Sequence, residues 1–177
     1  MQEEGPGYRG VLISKRGSKF TTIDSLRGSL LGLTDPGSTS GNLMPRVAFT
    51  KVIGMDLEKF FGKVVYTGSH ELSSVAVVKG KVDAAFVATH RFDNVVSKGE
   101  ASLDGVNILW KSDPIPQDPC VYRNTLCENI KAKIRETFLG LKGQPGAKKF
   151  LDNVKSNTFV RMSSDDYNII RDLKKAK

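Results

Sequence analysis

Nowhere in the 177 residues does the chain carry a run of about 18 apolar residues, the length a helix needs to span a bilayer, so no segment reads as a membrane span. The opening Met1 to Gly7 is acidic and lacks an apolar stretch, so it cannot serve as a secretory signal as it stands. The expectation is a cytoplasmic chain, or an exported one that begins further upstream. Cysteine is scarce: Cys120 and Cys127 lie seven apart, a spacing that matches no zinc or redox motif and leaves a metal two ligands short. Buried or half-buried free thiols are expected there, with a disulfide left open because spacing does not settle its geometry. Neither GxxxxGK[ST] nor GxGxxG is present, which removes the usual grounds for nucleotide binding, and no GxSxG elbow exposes a nucleophilic serine. No metal and no cofactor are expected.

What is present is an ordinary globular composition, 39% hydrophobic and 26% charged, in a length that suits one domain or two small lobes. The formal charge of +8 favours anionic partners. Nucleic acid is a poor fit, because the basic residues are scattered, cluster only at 174–177, and lack interleaved aromatics on which bases would stack.

Short apolar runs alternate with amphipathic stretches, which predicts an α/β domain. Strands are expected at Tyr8–Ser14, Ser29–Leu33, Lys63–Thr67, Val82–Ala88, Val106–Lys111 and Pro119–Arg123. Helices are expected after the loop 34–41, over Glu71–Lys79, from a capping box at Thr125–Glu128 through about Leu139, over Ala147–Val154, and after a cap at Ser163–Asp166. The proline-rich stretch Pro114–Pro119 marks a crossing between packed units. No internal repeat or low-complexity segment is seen.

Chemistry concentrates where strands give way to helices. In Asp35-Pro36-Gly37-Ser38-Thr39-Ser40-Gly41, three hydroxyl residues at a helix start stand beside unpaired backbone N–H groups and the positive end of the dipole, a cradle for an anion. The same residues equally fit a plain helix cap within a surface turn. His70, in Gly68-Ser69-His70-Glu71, occupies the corresponding position one strand later, so both loops would face one crevice, and its ring could donate from either protonation state. A simple capping role remains open for it too. Asp83 begins an apolar strand and is expected to serve structure, whereas Asp118 precedes a strand and could face the crevice. His70, Asp118 and a serine do not make a hydrolytic triad, since nothing fixes a base beside a nucleophile.

In order and spacing, Gly7-Tyr8, the segment 35–41 with Pro45 after it, Gly68–Glu71, Val82-Asp83-Ala84, and Trp110-Lys111-Ser112 with Ile115–Pro119 resemble the phosphonate-binding proteins of ABC transporters, a group that includes phosphite binders. The resemblance covers about Pro6–Arg123 and weakens beyond. It implies a type II periplasmic-binding-protein fold whose two α/β lobes close over a ligand, present here as the second lobe at 6–118, with 119–177 supplying a crossover strand and C-terminal helices of a partial first lobe. It implies that Ser38, Thr39, Ser40 and His70 clasp phosphorus-bound oxygens. Of two acidic positions that receive a ligand amine in aminophosphonate binders, one matches Asp118 and the other falls on His90, which argues against an amine-bearing ligand. A transporter permease is the implied partner and the periplasm the parent family's compartment. With one wall of the clamp missing, weak binding by this chain alone is expected. The alternative is an enzyme or a sensor domain reusing the fold on a phosphorylated small molecule.

Overall fold

The computed structural model describes residues 6–154 and 156–176. They form two compact units, the first comprising the chain up to Gln117 together with the segment from Tyr167 onward, the second Asp118–Asp166.

The first unit is built on a five-stranded sheet of β2 (Gly10–Lys15), β3 (Leu30–Leu33), β4 (Lys63–Tyr66), β5 (Ala84–Ala88) and β6 (Val106–Lys111), in the spatial order β4-β3-β5-β2-β6. β3 runs parallel to β4 and β5, while β2 is antiparallel to β5 and β6. The central strands GVLIS and AAFVA are buried throughout because both faces of the sheet are covered. Alternation then sorts the side chains. Leu12, Leu31, Leu33 and Phe86 point into a core with Phe49, Phe60 and Phe61, and Val11, Ile13, Ala85 and Val87 into another with Val77 and Phe92. The first core is capped by a helical run over 39–53 and by α2 (Leu57–Phe60), the second by α3 (His70–Val78) and α4 (Thr89–Ser97). Beside the sheet, β1 (Gly7–Tyr8) pairs with β7 (Ile115–Pro116).

Asp83 accepts the backbone N–H of Leu30 at 2.8 Å, so it ties β5 to β3 and serves structure, as its place in the sequence suggests. The helical run over 39–53 opens with wide π turns, Thr39–Leu43 and Pro45–Phe49, before the α-helical turn α1 (Thr50–Ile53).

The second unit holds α5 (Glu128–Leu139) and α6 (Ala147–Asn153), joined through Phe159, whose ring meets Phe138 edge-on at 5.1 Å and stacks on Phe150 at 6.3 Å. Here several sequence expectations fail. Pro119–Arg123 is exposed coil rather than a strand, because Pro119 has no N–H and no strand pairs with the segment among the described residues. The capping box does not form: Cys127 is the N-cap of α5, Thr125 lies inside a turn closed by Leu126 N–H to Arg123 C=O at 3.2 Å, and Glu128 instead pairs with Lys131 at 2.8 Å. Cys120 and Cys127 are both exposed rather than buried or half-buried, because they lie in this coil and at the start of α5, where both side chains face solvent. The Asp166 carboxylate closes a turn onto the N–H and hydroxyl of Ser163, one residue short of the N-cap of α7 (Asn168–Lys175), which is Tyr167. The segment 119–177 is therefore divided, for α7 belongs to the first unit and puts Leu173 among Leu43, Met44, Val47 and Ile115.

Among the described residues no helix is long and apolar enough to cross a membrane, and no group of His, Cys, Asp and Glu is placed to hold a metal ion.

Candidate functional site

The carboxyl ends of β3, β4 and β5, at Leu33, Tyr66 and Ala88, lie along one edge of the sheet beside Gly10, where the antiparallel β2 begins. Parallel strands deliver their following loops and helix starts to that edge, which is where open α/β sheets gather ligand contacts.

The loop after β3 is held by its own polar groups. Asp35 Oδ1 accepts the Gly37 N–H at 2.8 Å, Ser38 N–H reaches the Asp35 carbonyl at 3.2 Å, and Ser38 Oγ caps the helical run by accepting the Gly41 N–H at 3.0 Å. The wide first turn closes with Leu43 N–H to the Ser38 carbonyl at 2.9 Å. Asn42, fully buried, ties this loop to its surroundings: its Nδ2 donates to the Pro36 carbonyl at 2.8 Å, and its Oδ1 accepts from Arg46 Nε at 3.0 Å and Tyr66 Oη at 3.1 Å. Arg46 in turn holds Glu58 at 2.8 Å, and their mutual hydrogen bond raises the guanidinium pKa and lowers that of the carboxyl. Gly41 is required by packing, since a Cβ there would overlap Oγ1, Cγ2 and Cβ of Thr34.

His70 is the first residue of α3, behind the N-cap Ser69, whose Oγ accepts the Leu72 N–H at 3.1 Å. Its ring Nδ1 accepts the backbone N–H of Ala88, at the end of β5, at 3.1 Å. An amide N–H can only donate, so Nδ1 must hold a lone pair and the ring hydrogen sits on Nε2. Burial lowers the His70 pKa to about 4, with the charges of His90 and Arg91 adding to the fall and Glu71 and Asp35 opposing it. The ring is thus neutral at physiological pH and donates from Nε2 alone, which narrows the sequence expectation that it could act in either protonation state. Nε2 lies 3.4 Å from Ser38 Oγ.

Of the residues expected from sequence, Ser38, Thr39, Ser40 and His70 come together at this edge. Ser38 stands against the imidazole, Thr39 is half-buried, and Ser40 is buried where its carbonyl and Cβ lie against Gly10. His90 is the second residue of α4, with its ring 4.6 Å edge-on from Tyr8. Asp118 is exposed and belongs to the second unit. Reading the sequence missed Asn42, although a lone amide immediately before the mostly apolar stretch Leu43–Phe49 was a visible signal. It missed Thr89, a buried residue whose Oγ1 accepts the Arg9 N–H at 3.2 Å, and it missed the Ala88 amide, which no side chain announces.

Residues 1–167 match the family of periplasmic substrate-binding proteins of phosphonate ABC transporters. This chain belongs to that family. It is similar to the phosphonates-binding periplasmic protein of Escherichia coli, 32% identical over 164 residues that make up 90% of this chain and 48% of the relative. A phosphate-import protein of Mycolicibacterium smegmatis is 24% identical over 78% of this chain and 46% of its own length. Among solved structures, a binding-protein component of a phosphonate ABC transporter from Pseudomonas aeruginosa superposes with a TM-score of 0.79 and 30% identity, covering 96% of this chain and 57% of that one. A protein from Prochlorococcus marinus, solved with methylphosphonate, superposes with a TM-score of 0.78 at 19% identity, which supports the fold. The architecture is that of the type II periplasmic binding proteins in part, since the chain spans about half the length of the curated relatives it matches.

Proposed function

We propose that the first unit is the ligand-binding lobe of a carrier that delivers phosphonate, phosphite or a related phosphorus oxyanion to an ABC transporter permease in the periplasm, without performing chemistry on it. The observation that carries this reading is the His70 ring, turned by the Ala88 amide so that its one hydrogen, on Nε2, lies at the hydroxyl of Ser38. Ser38 Oγ has already accepted the Gly41 N–H, so its own hydrogen is free to turn toward a guest. The pair thus presents the Ser38 O–H, backed by the imidazole N–H, and no negative charge, at a helix start whose dipole favours an anion. Each hydrogen bond to a charged oxygen is worth roughly 1.5–3 kcal/mol net, so three or four such donors decide the affinity for a ligand this small.

Thr39 and Ser40 extend the same cradle in this reading, and His90 is the position that would discriminate the rest of the ligand. An imidazole at 90 offers an ammonium group no compensating charge, which favours anions without an amine. A lobe that meets its guest from one side leaves the other side in water, where charge-assisted bonds weaken, so binding by these 177 residues should be weak.

The test is an NMR titration of the isotope-labelled chain with phosphite, methylphosphonate, aminoethylphosphonate and phosphate at millimolar concentration. Shifts should concentrate at the amides of 38–41 and at the His70 Nε2 resonance, the amine-bearing anion should bind least, and no product should form. Ser38→Ala with Thr39→Ala should abolish the response. Binding that persists unchanged in that variant would refute the assignment.

A further inference from the structure

Basic residues that are scattered in the sequence are gathered by the topology at the edge of the sheet opposite Ser38 and His70. β2 ends there in Lys15, paired with Val106 at the start of β6, and passes into a loop that carries Arg16, Lys19 and Arg27 before β3 begins at Leu30. β4 begins beside Leu30 with Lys63. The turn from α3 into β5 brings Lys79 and Lys81 to the same edge, and α4 runs back to it with Lys98 as its C-cap. All eight side chains are exposed, and none makes an ion pair among the described residues. The carboxylates of these connections offset little of that charge. Asp83 is held by the Leu30 N–H, Glu58 by Arg46 and Asp56 by Lys59, which leaves Asp24, Glu100 and Asp104. At the edge that holds Ser38 and His70 there is no such excess, for Arg9 and Lys111 stand against Asp35 and Asp113, and Arg91 pairs with Glu71 at 3.8 Å. Surfaces ordinarily intersperse the two signs, so eight cations against three carboxylates make a one-sided field, the larger part of the chain's formal +8, that the candidate anion site does not use.

We propose that this edge docks on the surface of a bilayer rich in anionic phospholipid. Clusters of roughly four to eight Lys and Arg are drawn to such headgroups. The basic side chains here sit on separate connections rather than along a groove, and Phe20, Phe60 and Phe61 on those connections are buried, so a nucleic-acid strand would find neither a track nor a stacking surface. Headgroups diffuse laterally and collect under charges spaced in this way. Among the described residues Leu103, 43% exposed, is the large apolar side chain open to solvent on these connections. One leucine is too little for the apolar centre of a protein interface, but it suits shallow entry between headgroups while the lysine stems lie along the boundary. β5 is five residues long, so the two edges stand roughly 17 Å apart, about two Debye lengths at physiological ionic strength. A chain held by this edge keeps Ser38 and His70 turned away from lipid, and the inference does not depend on what those residues bind.

Vesicle co-sedimentation of the full chain tests this, with vesicles of phosphatidylcholine alone and of phosphatidylcholine with an equal part of phosphatidylglycerol. Partitioning onto the anionic vesicles should exceed that onto the neutral ones by at least about 10-fold and should fall steeply as salt is raised. The triple variant Lys15→Glu, Lys63→Glu, Lys81→Glu should lose about 10-fold or more of that partitioning, whereas Lys133→Glu, Lys142→Glu, Lys149→Glu, which changes the net charge equally in the second unit, should lose less than about 2-fold. Urea midpoints of both triples check that they fold, and glutamine at the same three edge positions should show a smaller loss in the same direction. Equal losses in the two triples would overturn the proposal in favour of net charge alone. Equal partitioning onto neutral vesicles, or none onto anionic ones, would overturn it outright, and tighter retention on single-stranded DNA at the same salt would overturn it in favour of nucleic acid. Methylphosphonate at matched ionic strength should not displace the chain, and displacement would overturn the assignment to this edge by placing the headgroup at Ser38 and His70. A failed oxyanion titration would leave all these outcomes as they stand.

Discussion

His70 and Ala88 are joined by a hydrogen bond from the Ala88 backbone N–H to the imidazole Nδ1 at 3.1 Å, across 18 residues of sequence, so the first residue of α3 is fixed to the last residue of β5. The bond exists only while Nδ1 is unprotonated, which makes the local structure sensitive to acid.

The pH dependence follows in sign. With the folded pKa lowered to about 4 by burial and an unfolded value near 6.5, the unfolded chain binds the extra proton first as pH falls. The stability that neutral His70 contributes is fully present above about pH 6.5 and is lost progressively between about 6.5 and 4, in total on the order of 3 kcal/mol. Urea unfolding at a series of pH values measures it. His70→Asn, whose Oδ1 can still accept the Ala88 N–H but does not titrate, should flatten that part of the profile. An identical slope in the variant would show that His70 is not the group responsible.

Asn42 carries a second prediction. Its amide answers the Pro36 carbonyl, Arg46 and Tyr66 together, so Asn42→Ala leaves one buried acceptor and two donors without their partner and should cost about 1–3 kcal/mol. Asn42→Asp keeps an acceptor for Arg46 and Tyr66 but turns a carboxylate oxygen toward the Pro36 carbonyl, so it should loosen the loop 35–38 more than it destabilises the fold. Denaturant midpoints read the first effect, and faster exchange of the Ser38 amide reads the second. Equal behaviour of the two variants would mean that the Pro36 contact does not hold the loop.

The elements that sequence periodicity located best are those governed by it. Val106–Lys111 is β6 to the residue, and Ala84–Ala88 and Lys63–Tyr66 lie within the expected strands, because alternation and apolar runs report burial on a sheet directly. The strand-to-helix positions of Ser38 and His70 were legible for the same reason, since turn formers and caps are local signals. What stayed hidden is non-local. Whether Thr125 or Cys127 ends up as the N-cap depends on the turn at 123–126, and whether Pro119–Arg123 becomes a strand depends on a neighbour to pair with. Exposure of Cys120 and Cys127 likewise reflects where this coil and the start of α5 come to lie. The tautomer of His70 is set by a backbone amide, which leaves no mark in the sequence at all.

Gly41 and Thr34 give a third prediction, on packing. A methyl group at 41 has no room because Thr34 is fully buried beneath it. Gly41→Ala should therefore lower stability by about 1–3 kcal/mol, the usual cost of overpacking. Thr34→Ala removes Oγ1 and Cγ2, two of the three atoms the methyl would meet, so the double variant should be more stable than the two single losses added together. A double-mutant cycle by urea unfolding measures that coupling, and strict additivity would show that the helical run simply shifts to make room.

Thr34 also offers a stabilising change. Its Oγ1 is buried without a hydrogen-bond partner, one of the few such atoms among the described residues, and its neighbour Ser38 is already engaged by Gly41. A buried hydroxyl that makes no bond has lost its water and gained nothing, at a cost of about 1–3 kcal/mol. Replacing it with a methyl of nearly the same shape removes that cost and leaves the contact with Gly41 intact. Thr34→Val should therefore raise the unfolding free energy by about 1 kcal/mol, opposite in sign to the usual effect of Thr→Val at a satisfied site. Measured in urea, a lower stability for Thr34→Val would mean that the hydroxyl is held by an ordered water at the mouth of the loop, and an affinity for methylphosphonate that fell with it would place that water in the ligand's own shell.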